Sequence, residues 1–252
     1  MTLNGSGLGL RRGMMEDMKS LTIKDVDFLE VAPENWINVG GRLGKAFREF
    51  TERFPFACHG LSLSIGSADK LDVDFVKSVK DFMDIHNIEI YSEHLSYCSH
   101  DGHMYDLMPM PFTEQAADYV ADRVAQVQDI LQRPLILENV STYASPGQEM
   151  SELEFMTQVL QKADCKMLLD VNNVYVNSIN HGFDPKHYIN SIPTDRIEYL
   201  HIAGHFDESE DLLVDTHGAS IKAQVWDLLE LTYAKHGELP TLLERDFNFP
   251  AM

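Results

Sequence analysis

The stretch His201-Ile202-Ala203-Gly204-His205, followed by Asp215-Thr216-His217-Gly218, sets three histidines and an aspartate in one short window. Imidazole and carboxylate together suit a borderline divalent transition metal. Ile197 to His205 reads as a strand, where positions 201 and 205 share a parity, so both rings are expected on one face. Taken alone, the window reads equally well as one buried, hydrogen-bonded histidine and two exposed ones. The same residue types recur, however, at other strand ends: His59, His94, Glu138, Asp170 with Asn173, and Glu244 with Asp246. One aspartate at a strand end is usually a cap or faces a loop. A run of successive strands all ending this way favours a metal site.

The donor types narrow the ion. No thiolate is among the candidates, which disfavours a structural zinc site. Mixed nitrogen and oxygen donors, with several carboxylates able to bridge, suit iron, manganese or zinc in a multinuclear cluster. His59, His94, Glu138, Asp170, Asn173, His201, Asp215, His217 and Glu244 exceed what one ion can take, so two or three ions are expected. His205 and Asp246 fit equally well as supports of ligands or as substrate contacts. Cys58 precedes His59 and should point the opposite way along its strand, as a packed core thiol. His100 and His103, in a turn-like polar loop, are expected to be exposed, and Trp36 and Trp226 to serve in core or interface. The tandem amides Asn172-Asn173 are poor strand formers and want a polar reason to stand at a strand end.

Eight apolar stretches would position these residues. Strands are expected at Gly7–Arg11, Asp27–Pro33, Phe56–Ser64, Ile88–Leu95, Leu135–Val140, Lys166–Asn173, Ile197–His205 and Thr241–Asp246. Helical spacing is found at Arg42–Arg53, Leu71–His86, Thr113–Leu131, Ser151–Ala163, Asp184–Ser191 and Ala219–Lys235. Thr113 is placed as an N-cap, and Ser151 with Glu154 makes a capping-box pattern. This alternation predicts an α/β fold, a TIM (β/α)8 barrel in a single domain over 1–252, with the last helix missing. Such barrels carry their chemistry at the C-terminal ends of the strands, where the candidate ligands fall.

Composition sets outer limits. Acidic residues outnumber basic ones 40 to 20 in the 252 residues, a formal charge of −20, and no basic cluster stands out, so no nucleic-acid partner is expected. Three cysteines lie far apart without a C-x-x-C pair, which points to a reducing compartment. No stretch looks like a signal sequence or a membrane span, so a cytoplasmic location with no membrane partner is expected.

At these residues the sequence resembles the multinuclear non-haem iron-dependent oxidative enzymes, which include the methanobactin-synthesising oxidase. The resemblance runs through Gly7-Leu8-Gly9-Leu10-Arg11, His59-Gly60-Leu61-Ser62-Leu63-Ser64, Ser92-Glu93-His94-Leu95-Ser96, Leu137-Glu138-Asn139, Leu169-Asp170-Val171-Asn172-Asn173, Asn180-His181-Gly182, the two histidine motifs above, and Leu243-Glu244. It implies a xylose-isomerase-like barrel holding two or three irons. His59, His94 and Glu138 would ligate one, Glu138 bridging to a second held by Asn173, His201 and Glu244. Asp170, Asp215 and His217 would fill the remaining positions, around a third. The resemblance also implies oxidation, with dioxygen, of cysteine or other residues in a ribosomally made peptide, often presented by a partner protein. Two positions depart from the family pattern: Ala32-Pro33-Glu34-Asn35 where His-Ala-Glu-Asn is usual, and Arg245 where an aromatic follows the last glutamate. Both bear on substrate identity more than on metal. A divalent-metal sugar isomerase or hydrolase, with zinc or manganese, and a non-catalytic metal-binding protein are the competing readings.

Overall fold

Eight of the strands form a closed parallel barrel in a computed structural model that describes residues 3–250. In chain order the elements are β1 (Ser6–Gly9), β2 (Phe28–Val31), α1 (Gly41–Thr51), β3 (Phe56–His59), α2 (Val73–His86), β4 (Ile90–His94), β5 (Tyr97–Ser99) and β6 (His103–Met108). There follow α3 (Glu114–Leu131), β7 (Ile136–Glu138), α4 (Glu152–Ala163), β8 (Lys166–Asp170), α5 (Val171–His181), α6 (Pro185–Ser191) and β9 (Ile197–Ile202). The last are β10 (Phe206–Ser209), β11 (Leu212–Val214), α7 (Ala223–His236) and β12 (Thr241–Leu243). Around the barrel the order is β1-β12-β9-β8-β7-β4-β3-β2. β5 pairs with β6, and β10 with β11, as separate antiparallel hairpins.

The helices begin where their caps dictate. Thr113 accepts from the Ala116 amide at 3.1 Å, and Ser151 and Glu154 complete the capping box that opens α4. Left-handed residues close four helices, at Asn87, Gln132, Asp164 and Gly182. The outward faces of the strands and the inward faces of the helices share one core. Leu29, Val31, Cys58, Leu169 and Leu200 meet Phe47, Val79 and Val124 there. Cys58 is thus a fully buried core thiol, turned away from His59 as expected. Trp36 stacks on Phe47 with ring centroids 4.3 Å apart, whereas Trp226 is half exposed on α7.

The inward faces of the strands make a second, smaller core. Leu3, Phe28, Ala57, Ile136, Leu168, Tyr199 and Leu242 fill the floor of the barrel. A fully buried leucine or phenylalanine stabilises the fold by roughly 1.5–3 kcal/mol relative to exposure. β1 contributes no side chain here, because a Cβ on Gly7 would run into the Phe28 ring. The glycine is what lets Phe28 lie across the floor.

Several expected boundaries are corrected. The sixth strand ends at Asp170, and α5 begins at the next residue, so Asn172 and Asn173 occupy a first helical turn. Valine, asparagine and tyrosine are weak helix formers, which hid this helix from propensity. The seventh strand ends at Ile202, and His205 therefore leaves the strand alternation. Neither hairpin was expected. No helix follows β12 among the described residues, and the barrel closes because β12 pairs with both β1 and β9. The end of the Asn248–Met252 stretch, beyond Pro250, lies outside the described residues.

Candidate metal centre

Side chains on a strand alternate, so the residue two positions beyond each floor residue also faces the barrel axis, one layer higher. That step converts Phe28 into Glu30, Ala57 into His59, Ile136 into Glu138, Leu168 into Asp170, Tyr199 into His201 and Leu242 into Glu244. On β4 the inward residues are Ile90, Ser92 and His94. A cavity of about 450 Å³ opens above this layer at the C-terminal face. Leu61, Leu107 and Val140 supply apolar wall, and Arg11 is its one lining guanidinium.

The polar residues fall into three donor groups among the described residues: His59, His94 and Glu138; Glu138, Asp170 and His201; Asp170, His217 and Glu244. Within each group the donor atoms lie within 4.8 Å of one another. Glu138 belongs to the first two groups and Asp170 to the last two, so the three form a chain through shared carboxylates. Glu138 Oε2 is 3.1 Å from His59 Nε2 and 3.4 Å from His94 Nε2. His201 Nδ1 is 2.9 Å from Glu244 Oε2, and His217 Nε2 is 2.7 Å from Asp215 Oδ1.

These close approaches are not hydrogen bonds. Glu138 Oε2, Asp170 Oδ2, Asn173 Oδ1, His201 Nδ1 and His217 Nε2 are buried without a hydrogen-bond partner. Buried polar atoms are seldom left this way, because each costs about 1–3 kcal/mol. Donors near 3 Å apart are what a coordination shell of ~2.0–2.2 Å sets side by side. The second oxygens of the same carboxylates are tied down. Asp170 Oδ1 accepts from the Asn173 amide at 2.6 Å, capping α5, and Glu138 Oε1 accepts from Asn173 Nδ2 at 3.1 Å. Asn139 holds the Asp170 backbone from both sides, at 2.9 and 3.0 Å. One oxygen of each carboxylate shared between groups is thus fixed by the fold and the other is left without a partner. The donor set fits divalent metal.

The electrostatics agree. Burial opposes charge on His59, but the Glu138 carboxylate, with Glu30 beyond it, outweighs burial and raises its pKa to about 9. Burial lowers that of His94 to about 4, only partly offset by Glu138. Burial, with Glu138 and Asp215 nearby, pushes Asp170 well above the usual carboxylate range. Glu244 is held well below it, since His217 and His201 overcome the effect of burial. Protonated imidazoles here balance a crowd of carboxylates, the part a bound cation would take over. His217 also sits in the left-handed region, φ 50°, a cost of about 1–3 kcal/mol that concentrates at functional sites.

Most of the expected residues converge. His59, His94, Glu138, Asn173, Asp215, His217 and Glu244 line the cavity, and Asp170 and His201 are buried immediately beneath it. Asp246 lies at the rim, 2.6 Å from Arg11 and 3.3 Å from His217. His205 is the exception. It turns away to Asn172 Oδ1, at 2.7 Å, and the Tyr175 ring, because β9 has ended before it. Asn172 in turn donates to Asp215 Oδ1 at 2.9 Å, which is the polar reason for the tandem amides. Glu244 falls in a group with Asp170 and His217, though it also touches His201. His100 and His103 are exposed.

Sequence reasoning missed Glu30, 3% exposed, whose Oε2 accepts from Tyr199 at 2.8 Å and lies 3.1 Å from His201 Nε2. An acid inside the apolar run Phe28-Leu29-Glu30-Val31-Ala32, in step with Phe28, was the available signal.

Comparison with known proteins bears on the fold and the family. Solved structures that share the fold include the E. coli 3-keto-D-glucoside 4-epimerase, with a TM-score of 0.66 at 14% identity, covering 98% of this chain and 95% of that one. A family 2 AP endonuclease of Brucella melitensis has a TM-score of 0.61 at 9% identity, covering 100% and 95%. At such identities the likeness is one of fold, the xylose-isomerase-like TIM barrel. A UPF0276 protein of Shewanella oneidensis is 64% identical over 245 residues, covering 97% of this chain and 88% of that protein. A UPF0276 protein of Pseudomonas aeruginosa is 55% identical over 250 residues, covering 99% and 88%. The sequence model of the family described as "RiPP precursor modification enzyme MbnB/TglH/ChrH" matches residues 5–252. The chain belongs to that family of enzymes acting on RiPP precursors, the ribosomally made and modified peptides.

Proposed function

We propose that this protein is a multinuclear iron-dependent oxidase that uses dioxygen to modify cysteine, or another residue, in a RiPP precursor peptide. The observation that carries the reading is the chain of three donor groups joined through Glu138 and Asp170 at the barrel mouth. His59, His94 and Glu138 would hold one iron, Glu138, Asp170 and His201 a second, and Asp170, His217 and Glu244 a third, with Asn173 and Asp215 beside them. Iron there supplies a Lewis-acid site for a thiolate and electrons for dioxygen reduction.

The remaining contributions come from the chain. His59 gives up its proton when its Nε2 takes an ion, so loading releases protons and strengthens as pH rises towards about 9. Leu61, Leu107 and Val140 offer apolar surface to a substrate side chain beside the donor layer. The three cysteines, Cys58, Cys98 and Cys165, are buried and none lines the cavity, so a reacting thiol comes from the substrate. The cavity of about 450 Å³ at the C-terminal face would receive the reacting peptide residue, delivered by a presenting partner protein. Among the described residues no helix is long and apolar enough to cross a membrane.

The alternative, a divalent-metal sugar isomerase or hydrolase, shares the barrel with the epimerases, but no lysine lines the cavity to act as acid or base. Purification without oxygen, followed by metal analysis with Mössbauer and EPR spectroscopy, separates the readings. Two or three irons per chain, with dioxygen uptake dependent on a cysteine-containing precursor peptide, is the expected result. Stoichiometric zinc or manganese that iron cannot displace, with no dioxygen uptake, overturns the oxidase.

A further inference from the structure

We infer that Tyr199, Ser92 and Glu30 form a positioning relay beneath the donor layer, which fixes which nitrogen His59 and His201 each present to metal. The inference rests on the metal-centre reading above and adds to it residues that ligate nothing. All three are buried, at 0%, 0% and 3% exposure.

The hydrogen bonds run without a break from one imidazole to the other. His59 Nδ1 is 2.8 Å from Ser92 Oγ, Ser92 Oγ is 2.6 Å from the Tyr199 hydroxyl, and that hydroxyl donates to Glu30 Oε2 at 2.8 Å. The same Glu30 oxygen is 3.1 Å from His201 Nε2. Polarity along the chain is set at one point, because a carboxylate only accepts. Tyr199 therefore spends its proton on Glu30, and its oxygen accepts from Ser92 Oγ. Ser92 Oγ in turn accepts from His59 Nδ1–H. From the other side His201 Nε2–H donates to Glu30.

The nitrogens outside the relay are His59 Nε2, which lies 3.2 Å from His94 Nε2, and His201 Nδ1, opposite positions on the two rings. His59 Nε2 faces Glu138 Oε2 at 3.1 Å, and His201 Nδ1, an orphaned buried atom, faces Glu244 Oε2 at 2.9 Å. One carboxylate outside the donor groups thus sets two imidazoles that belong to neighbouring groups. Such a partner orients a ligand ring and fixes its tautomer, at about 10–100-fold in metal affinity. The floor residue Tyr199 is the only member of the floor core with a hydroxyl, and it places that hydroxyl against both Ser92 and Glu30.

The test uses Zn2+ as probe, in competition with a chromophoric chelator, on the full chain and its Tyr199→Phe and Ser92→Ala variants. Nitrogen-15 NMR of histidine-labelled, zinc-loaded protein reads the ring protons. The expected result is zinc binding by the unsubstituted protein, with slowly exchanging protons on His59 Nδ1 and His201 Nε2. Each variant should then bind zinc about 10–100-fold more weakly and lose protection of the His59 Nδ1 proton, its metal-free far-UV spectrum unchanged. Zinc affinity and ring protons unaltered in both variants overturn the relay while leaving the metal centre standing. If a variant does not fold, the unsubstituted protein still decides: a proton on His59 Nε2 or His201 Nδ1 overturns the relay. Absence of zinc and iron binding in the unsubstituted protein overturns relay and metal centre together.

Discussion

Two layers of one barrel interior, a single strand step apart, are built to opposite ends. The floor, with Phe28, Ala57, Leu168 and Leu242, is apolar and closely packed. The layer above, with Glu30, His59, Asp170 and Glu244, is also buried, though slightly less deeply, and almost wholly polar. Backbone geometry is common to both, so the difference lies only in which side chain stands at each inward position. The floor holds the strands together, and that fixed frame allows the upper layer to crowd carboxylates and imidazoles that would otherwise move apart. Burial stabilises in the first layer and in the second raises the free energy of charge until a cation compensates.

Substitutions in each layer should therefore separate binding from folding. The largest effect is expected from Glu138→Ala, which removes a donor from two groups at once. Metal affinity should fall by more than the ~10–100-fold typical of supporting partners. Metal analysis after dialysis against chelator checks this, and retention of the full complement would break the contrast. Leu168→Ala, in the floor, should cost about 2–5 kcal/mol in denaturant unfolding through the cavity it leaves, with the metal content of the folded protein unchanged.

Asp170 belongs to both sides, since one oxygen caps α5 and the other is a buried donor without a hydrogen-bond partner. Asp170→Asn keeps the cap and Asp170→Ala does not. The metal-free proteins should differ by ~1 kcal/mol in unfolding free energy, while both lose metal. Equal stability of the two would show that the cap contributes nothing.

An effect independent of metal is expected outside the barrel interior, at the partly buried Glu152 of α4. Its carboxylate accepts from Asn177 at 2.9 Å and Tyr188 at 3.1 Å, yet burial outweighs both and raises its pKa to about 7. The folded state thus holds a proton that the unfolded chain releases above 4.5. Stability should fall as pH climbs from 4.5 to about 7, and stay flat beyond. Glu152→Gln should remove that slope and add about 1–2 kcal/mol at pH 8, allowing for partial exposure. Urea unfolding at pH 5 and pH 8 checks both, and an unchanged slope would exclude Glu152 as its source.

What was legible beforehand was local. Thr113 and the Ser151–Glu154 pair mark helix starts because a cap is made by neighbours in sequence. The layered interior was legible in part, since strand alternation puts His59, Glu138 and Asp170 on inward positions whatever the rest of the chain does. The helix α5 was not, because its residues are weak helix formers and it is held by Asp170, Asn139 and the barrel beneath.

The sequence by itself determined the barrel, the rank of strand-end donors and the choice of nitrogen and oxygen over sulfur, because these follow from periodicity and side-chain chemistry. Only the tertiary structure decided which donors lie together. Glu30 meets His201 across 171 positions of sequence, and Glu138 and Asp170 each come to belong to two donor groups because strand order and register bring the three groups side by side. The same closure sent His205 away from the cavity. Where β9 stops is set by its neighbours in the sheet, and a side chain beyond that point no longer obeys the strand's alternation.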